Sequence, residues 1–194
     1  APNSEKGYLI IMAKIRMEAL TLTAASLVDD AGYDALSVSA IAGALDVAPS
    51  ALYTHCDGLK GLRTLVADTA SENLLDRIRT AAIGTSGDSA VVAMGLAYRQ
   101  FALEHPGQFA ALLRSPGTEG PPVRSDDQTV VDVFTLVFTA MGLSPQQSTL
   151  AARSTHSAIH GFLALEHVSG TGDEHEGEYL HLLNTLQRVA EPDG

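Results

Sequence analysis

The chain has 194 residues, a formal net charge of -11, no tryptophan and one cysteine, Cys56. One cysteine excludes an internal disulfide, and the apolar run at residues 8–13 is too short for a signal peptide or a membrane span. Abundant alanine and leucine, without long alternating runs of branched residues, favour an all-α fold. We therefore expect a cytoplasmic protein that does not associate with a membrane.

The net negative charge lies mainly in the later part of the chain. Residues 1–80 carry seven Lys and Arg against ten Asp and Glu, whereas residues 81–194 carry five against thirteen. Phosphate binding depends on the local patch of charge and not on the sum over the chain. The first part can therefore contact nucleic acid, provided that its cations cluster on one face.

Apolar spacing predicts two helices before residue 46. The first begins near Arg16, and Gly32 follows its last apolar residue as a C-cap glycine would. Ser37 is placed to N-cap a short second helix that ends near Leu45.

A third short helix follows after a tight turn. Asp46 stands in this turn, where a residue that tolerates the left-handed conformation is needed. Pro49 suits the first turn of the third helix, which is predicted to end near His55. Two helices joined by so brief a turn predict a helix-turn-helix.

The rest of the chain predicts further helices and two loops. Asp57 can cap a fourth helix that ends near Ala82, before the turn-rich cluster at residues 84–88. Its buried stripe is predicted to comprise Leu59, Leu62, Val66, Leu74, Leu75 and Ile78. Later helices are predicted at 89–104, 107–114, 126–142, 145–168 and 174–190, with loops at 115–122 and 170–177.

The domain organisation follows from these elements. Residues 1–62, ordered from about residue 14, are predicted to form a three-helix DNA-binding domain with the helix-turn-helix. Residues 63–194 are predicted to form a larger helical domain.

Several stretches in one register carry a family resemblance. They are Asp-Asp-Ala-Gly at 29–32, Ala-Leu-Ser-Val-Ser-Ala-Ile-Ala at 35–42, Leu-Asp-Val at 45–47 and Leu-Tyr-Thr-His at 52–55. Over roughly residues 16–65 the chain resembles the TetR (tetracycline-repressor-like) family of transcription regulators. His-Gly-Phe at 160–162 and Leu-Glu at 165–166 resemble one C-terminal subclass of that family.

The resemblance implies a homodimer with a recognition helix in the major groove and a domain that binds a small effector. Ser37, Tyr53 and His55 would bond phosphates, and Lys60 would replace a phosphate contact that the family commonly makes one residue earlier. Small residues at the start of the third helix would face base edges or thymine methyls. The full predicted DNA-binding set is Lys14, Arg16, Ser37, Val38, Pro49, Ser50, Ala51, Tyr53, Thr54, His55 and Lys60.

The physical chemistry of the third helix agrees with this role. A recognition helix enters the groove by its N-terminal part, where small residues allow close approach and short polar ones can bond bases. Phosphate contacts fix the register and carry no sequence information. With few arginines in the helix, we expect readout by apolar contacts and DNA shape.

The resemblance assigns effector binding and dimerisation to the larger domain, residues 63–194, and two sets of residues there are candidates for these roles. An effector cavity with mostly apolar walls would be lined by Met94, Tyr98, Phe101, Phe109, Phe134, Phe138, Met141, His156, His160 and Phe162. A dimer interface between the last two helices would use Ile159, Leu163, Leu180, Leu183 and Leu186. An intramolecular core would use the same apolar stripes.

The sequence thus predicts a ligand-responsive transcriptional regulator that is not an enzyme and needs no cofactor. In this interpretation it is a repressor, released from a palindromic operator on double-stranded DNA by a small, largely apolar effector. One alternative is a metal-dependent helical enzyme that uses His156 and His160, which are spaced as zinc ligands can be. Another is a helical interaction protein without DNA binding.

Overall fold

The structure, a computed structural model, describes residues 2–114, 129–170 and 175–187, with side chains from Met17 onward. Within these ranges the chain forms α-helices and one 3₁₀ turn, and no β-strand. The predicted all-α fold is confirmed. The loop predicted at 115–122 and residues 171–174 of the one predicted at 170–177 lie outside the described residues.

Every predicted helix is present. The helices are α1 (Pro2–Ala31), α2 (Val38–Ala44), α3 (Pro49–Leu52), α4 (Gly58–Ala82), α5 (Gly87–Glu104), α6 (Pro106–Arg114), α7 (Val130–Ala140), α8 (Pro145–Ser169) and α9 (Glu176–Gln187), with the 3₁₀ turn at Tyr33–Ala35. Several bounds differ from the prediction. Helix α1 starts well before Arg16, regular α3 ends at Leu52 rather than near His55, and α7 is Val130–Ala140 rather than 126–142.

The chain divides into two compact units. Unit 1 comprises Ala1–Ser71 and Pro106–Pro121, and unit 2 comprises Glu72–His105 and Pro122–Gly194. The division falls within α4, and α6 belongs to unit 1 because it packs against α1. These units are defined by packing, whereas the division predicted after residue 62 separates functions. The functional division stays a prediction.

Local interactions position the two short helices of unit 1. Ser37 N-caps α2, because its Oγ accepts a hydrogen bond from the backbone N of Ala40 at 3.1 Å. Asp46 has a φ of 53°, the left-handed conformation expected for the turn. Both predictions are confirmed. The short helices close onto a core formed by Leu20, Ala24, Val28, Leu36, Ile41, Ala42, Leu52, Leu62, Val66, Ala67 and Ala111.

The predicted buried stripe of α4 is wrong at Leu59. Leu62, Val66, Leu74 and Ile78 are buried and Leu75 is half-buried, but Leu59 is 36% exposed. Helix α4 approaches the preceding turn through Gly61, where a Cβ would lie 3.1 Å from the Cβ of Cys56. Leu59 precedes Gly61 by two residues, about 200° around the helix, and so points away from that contact.

Unit 2 is built around the aromatic residues of α5, α7 and α9. Its fully buried side chains include Met94, Tyr98, Phe101, Phe134, Phe138, Ile159, Leu163, Tyr179 and Leu183. Helix α8 starts with a capping box between Ser144 and Gln147 and ends at Gly170, whose φ is 70°. These caps fix the ends of the helix that carries both predicted histidines.

Candidate nucleic-acid interface and effector core

Helix α3 presents an exposed face of small residues on a buried anchor. Leu52 is 3% exposed and belongs to the core of unit 1. Pro49, Ser50 and Ala51 are exposed on the other side of the same helix, together with Thr54 just beyond it. Because one residue fixes the helix and its neighbours face outward, this face is available to enter a groove.

The end of α3 presents a tyrosine beside the start of α4. Tyr53 is 63% exposed, and its ring lies 3.5 Å from the position of a Cβ on Gly58. Gly58 has a φ of 55°, so glycine is favoured there on conformational grounds as well. Tyr53 is thus held next to the N-terminal end of α4 with its side chain open to a phosphate.

His55 and Cys56 differ in exposure from Tyr53. Both are half-buried, and the Sγ of Cys56 donates to the carbonyl oxygen of Leu52 at 3.5 Å. Burial raises the pKa of the Cys56 thiol. This is the environment of a packing residue and not of a nucleophile.

The structure brings most of the predicted DNA-binding set into unit 1. Ser37 and Val38 are half-buried at the start of α2, and Lys60 is exposed on α4 beside the exposed Leu59. The side chains of Lys14 and Arg16 lie outside those described, so these two stay predictions.

Sequence reasoning did not predict that two arginines, Arg63 and Arg114, lie around the ring of Tyr33. The guanidinium carbons of Arg63 and Arg114 lie 5.8 Å and 4.9 Å from the centroid of the Tyr33 ring. Arg114 also pairs with Asp34, and this hydrogen bond lowers the pKa of the Asp34 carboxyl. Asp34 and Arg114 are 80 residues apart, so no local pattern could have indicated this cluster.

Nine of the ten predicted effector-lining residues lie in unit 2. Met94, Tyr98, Phe101, Phe134 and Phe138 are buried there. Met141, His156, His160 and Phe162 are half-buried. Phe109 was predicted with this set but lies on α6 in unit 1, because α6 packs against α1.

Three of these residues form a polar cluster. The hydroxyl of Tyr98 lies 2.8 Å from Nδ1 of His160, and the rings of His156 and His160 are stacked at 5.7 Å. Burial lowers the pKa of His156 to about 4, and it also lowers the pKa of His160. Both imidazoles are therefore neutral near pH 7 and offer hydrogen bonds without charge.

The burial of His156 predicts a loss of stability in acid. The unfolded chain takes up a proton at this residue below about pH 6.5, whereas the folded chain does so only near pH 4. This difference costs up to about 3 kcal/mol as the pH falls across that window. We expect His156→Phe to weaken the pH dependence measured by urea unfolding between pH 7 and pH 4.

A buried apolar variant provides the control for this measurement. Phe138→Leu should lower the free energy of unfolding by a similar amount at each pH, because it changes no titrating group. An unchanged pH dependence in His156→Phe would contradict the assignment.

The metal-site alternative gains no support from these histidines. Among the described residues, no three or more His, Cys, Asp or Glu side chains are grouped so that they could hold a metal ion. The Nδ1 atom of His175 lies 3.1 Å from a carboxylate oxygen of Glu178, and His175 does not join His156 and His160 in such a group.

Most of the predicted dimer-interface residues are used inside one chain. Ile159, Leu163, Leu183 and Leu186 are buried in unit 2, whereas Leu180 is 37% exposed. These four residues therefore belong to an intramolecular core, the alternative that their spacing also allowed. The sequence analysis overlooked a separate row on α8 whose members are all exposed: Leu150, Ser154, Ser157, Gly161, Leu165 and Val168.

Comparisons with known proteins bear on both units. The family model described as "Tetracyclin repressor-like, C-terminal domain" matches residues 91–184. The uncharacterised HTH-type transcriptional regulator Rv0681 of Mycobacterium tuberculosis is 31% identical over 163 residues, which cover 84% of this chain and 74% of that protein. No helix among the described residues is long and apolar enough to span a membrane.

Two solved structures show the same fold. BioQ, crystallised with its double-stranded DNA operator, has a TM-score of 0.65 and 20% identity over 89% of this chain and 98% of its own. A TetR variant from Acinetobacter baumannii AYE, in complex with minocycline, has a TM-score of 0.64 and 17% identity over 88% and 92% of the two chains.

Proposed function

The chain belongs to the TetR family of transcriptional regulators, which are not enzymes, and on that premise we propose that it is a cytoplasmic, ligand-responsive repressor. A homodimer would bind a palindromic operator through α3, and a small, largely apolar effector in unit 2 would release it. The exposed face of α3, anchored by Leu52, carries this proposal.

DNA contact is assigned to residues that surround this face. Ser50, Ala51 and Thr54 would meet base edges, while Tyr53, His55 and Lys60 would contact phosphates. The net negative charge lies mainly after residue 80, where five Lys and Arg stand against thirteen Asp and Glu, so it need not oppose the contact. BioQ, which has the same fold, was crystallised with its DNA operator, and this supports the assignment by analogy.

Dimerisation is assigned to the exposed row on α8. Its members follow one another at spacings of three or four residues, which places them on one helical face. The row contains no charged side chain, and Leu165 and Val168 are 75% and 84% exposed. A second copy would cover these apolar side chains and allow α8 to pack closely at Gly161.

Effector binding is assigned to the core of unit 2. Apolar walls with a few neutral polar groups suit a largely apolar molecule, and Tyr98, His156 and His160 supply such groups. The hydroxyl of Thr155 is buried without a hydrogen-bond partner among the described residues, so an acceptor on a ligand would stabilise it.

Release would follow from a change in the distance between the two recognition helices. Half-sites lie about one turn of DNA apart, roughly 34–36 Å. An effector that binds one conformation of the dimer more tightly than the other shifts the population toward it. If that conformation has the wrong spacing, both heads cannot bind together.

The first test is selection of bound duplexes from a random DNA pool at two salt concentrations. We compare the wild type with a Tyr53→Ala, His55→Ala double variant, which loses two phosphate contacts. The expected result is a palindromic site whose affinity falls steeply with salt. We expect the double variant to bind it at least about tenfold more weakly.

Lys60→Ala provides a graded control. It removes one exposed cation, so the slope of log affinity against log salt should decrease by about one. Enrichment of no sequence by the folded wild-type protein would contradict the proposed function. The selected duplex then serves as the probe for an effector screen, in which a repressor must release DNA when its ligand is added.

A further inference from the structure

A groove of about 370 Å³ lies on unit 2 between the C-terminal halves of α4 and α5. Its lining residues are Asp76, Arg77, Thr80, Ala81, Ala97 and Gln100. None of them belongs to the predicted effector set. Small-molecule sites typically have volumes of roughly 300–1,000 Å³, so this groove suits a small ligand.

One end of the groove is polar. Arg77 and Gln100 both donate to the carboxylate of Glu104, from Nη1 at 2.7 Å and from Nε2 at 2.8 Å, so their side chains meet at this end. Asp76 precedes Arg77 and adds a carboxylate, and Thr80 adds a hydroxyl one turn after Asp76. Charged and hydrogen-bonding groups are therefore gathered around one part of the groove.

The other end of the groove is apolar. Ala81 lies one turn after Arg77 on α4, and Ala97 lies about one turn before Gln100 on α5. Both steps lead toward residues 83–86, which link the two helices, so the two alanines lie at the end opposite Glu104. A ligand that fills the groove therefore needs a charged or polar head and a short apolar body.

Arg77 is held in place with hydrogen-bonding capacity to spare. Besides its bond to Glu104, its Nη2 lies 3.0 Å from Nε2 of His105, and its guanidinium carbon lies 5.9 Å from the centroid of the Phe101 ring. Among the described residues, these bonds use two of the five N–H donors of Arg77. Its side chain is 34% exposed, so the other donors can reach a ligand. A guanidinium fixed in this way binds a carboxylate with less loss of conformational freedom.

The polar end carries charges of both signs. The side chain of Asp76 is 78% exposed and contacts Arg79 at 3.5 Å. Hydrogen bonds from Gln100 and Arg77 lower the pKa of the Glu104 carboxyl, which keeps this group ionised. The two carboxylates and two guanidinium groups have no net charge together. They favour neither a simple anion nor a simple cation, whereas a ligand with both charges finds a partner for each.

We propose that this groove binds a free amino acid with an apolar side chain. The α-carboxylate would pair with Arg77 and the α-ammonium group with Asp76. The apolar side chain would cover Ala81 and Ala97. This site is separate from the effector core and adds a second ligand to the proposed function.

The ligand class is tested by isothermal titration calorimetry of the wild-type chain at pH 7 without DNA. The probe is leucine, which has both charged groups and an apolar side chain. 4-Methylpentanoate lacks only the ammonium group, 3-methylbutylamine lacks only the carboxylate, and glycine lacks the apolar side chain. We expect leucine to bind, and each of the other three compounds to bind at least about tenfold more weakly.

Two substitutions test which residue binds which charge. Asp76→Asn should weaken the binding of leucine at least about tenfold but should not weaken that of 4-methylpentanoate, which has no ammonium group. Arg77→Gln should have the same effect on leucine and should not weaken the binding of 3-methylbutylamine, which has no carboxylate. Asp88→Asn removes an exposed carboxylate of α5 that does not line the groove. This control should bind leucine as the wild type does.

The outcomes separate this inference from the proposed function. Absence of leucine binding at millimolar concentration, or equal affinity for leucine and its two singly charged analogues, would overturn it. Leucine affinity that is unchanged in both groove variants would overturn it as well. The ligand series uses only the wild-type chain, so it decides the question even if a variant misfolds. Failure to enrich any operator would instead overturn the proposed function and leave this inference standing, because no measurement here involves DNA.

Discussion

Replacing Glu166 with glutamine is expected to lower the free energy of unfolding by about 3–5 kcal/mol. Glu166 on α8 and Arg99 on α5 are 6% and 9% exposed. Their side chains are joined by a bond of 2.7 Å from Nη2 to Oε1 and one of 3.1 Å from Nε to Oε2. The amide of glutamine carries no charge, so Arg99 would remain cationic and buried without its counter-ion.

The environment of Arg99 offers limited compensation. Its guanidinium carbon lies 5.7 Å from the centroid of the Tyr179 ring, and hydrogen bonds to Glu166 raise the pKa of Arg99. A guanidinium is always protonated in proteins, so the arginine stays charged even when this partner is lost. The Tyr179 hydroxyl donates to the carbonyl oxygen of Gly95 at 2.6 Å, so Tyr179 is fixed in its present place.

Removing both charges distinguishes a lost ion pair from damaged packing. An Arg99→Met, Glu166→Leu double variant should regain most of the lost stability, because apolar side chains of similar volume replace a buried ion pair at little cost. An exposed pair supplies the matched control. Asp76→Asn breaks the exposed contact with Arg79 and should change stability by less than about 1 kcal/mol.

The measurement is urea unfolding at one fixed protein concentration. Stability of an oligomer depends on concentration, so all variants must be compared at the same value. A Glu166→Gln variant as stable as the wild type would show that water reaches the pair and that the ion pair contributes little to the core of unit 2.

The features that sequence reasoning predicted correctly are local. Ser37 bonds the backbone three residues later, and Asp46 adopts a turn conformation that depends on its own side chain and neighbours. The helices followed from a 3.6-residue apolar period for the same reason. The exposed face of α3 followed because one apolar residue, Leu52, anchors a helix whose other residues are small.

The features that sequence reasoning missed are contacts between distant parts of the chain. Glu166 belonged to a recognised motif, yet its partner Arg99 is 67 residues away, and α5 carries no pattern that selects this arginine. The apolar stripes on α8 and α9 have the same residue spacing whether they pack within one chain or against a second copy of it. Ile159 and Leu183 therefore could not be assigned to core or interface from spacing alone.

The contact between α1 and α6 is a further example. Asp29 on α1 accepts hydrogen bonds from the backbone N of Gln108 at 3.0 Å and from its Nε2 at 2.7 Å. The carboxylate thus caps the first turn of α6 from another helix. In the sequence, Asp29 was part of a motif that marks the end of the first helix, and nothing local connected it with residue 108.

Replacing Gly107 with alanine is expected to lower the free energy of unfolding by about 3 kcal/mol or more. A Cβ at this position would lie 1.8 Å from the carbonyl oxygen of Val28 and 2.6 Å from the backbone N of Asp29. Both atoms belong to the backbone of α1, so no side-chain rotation relieves the overlap. Helix α6 would have to move away from α1.

Such a movement would also break the hydrogen bonds between Asp29 and Gln108. The cost of the alanine therefore includes the lost cap of α6 as well as the steric overlap. Gly43, which has no atom near its Cβ position, is the matched control. Gly43→Ala should leave stability unchanged or raise it by up to about 1 kcal/mol, because alanine favours the helix.

Two observations together test this account by urea unfolding. Gly107→Ala should be strongly destabilised, and adding Asp29→Ala to it should cost less than Asp29→Ala costs in the wild type, because the cap is already lost. Fully additive effects would mean that α6 accommodates the methyl group without leaving Asp29. In that case the close approach of α1 and α6 at Gly107 would not be what keeps unit 1 together.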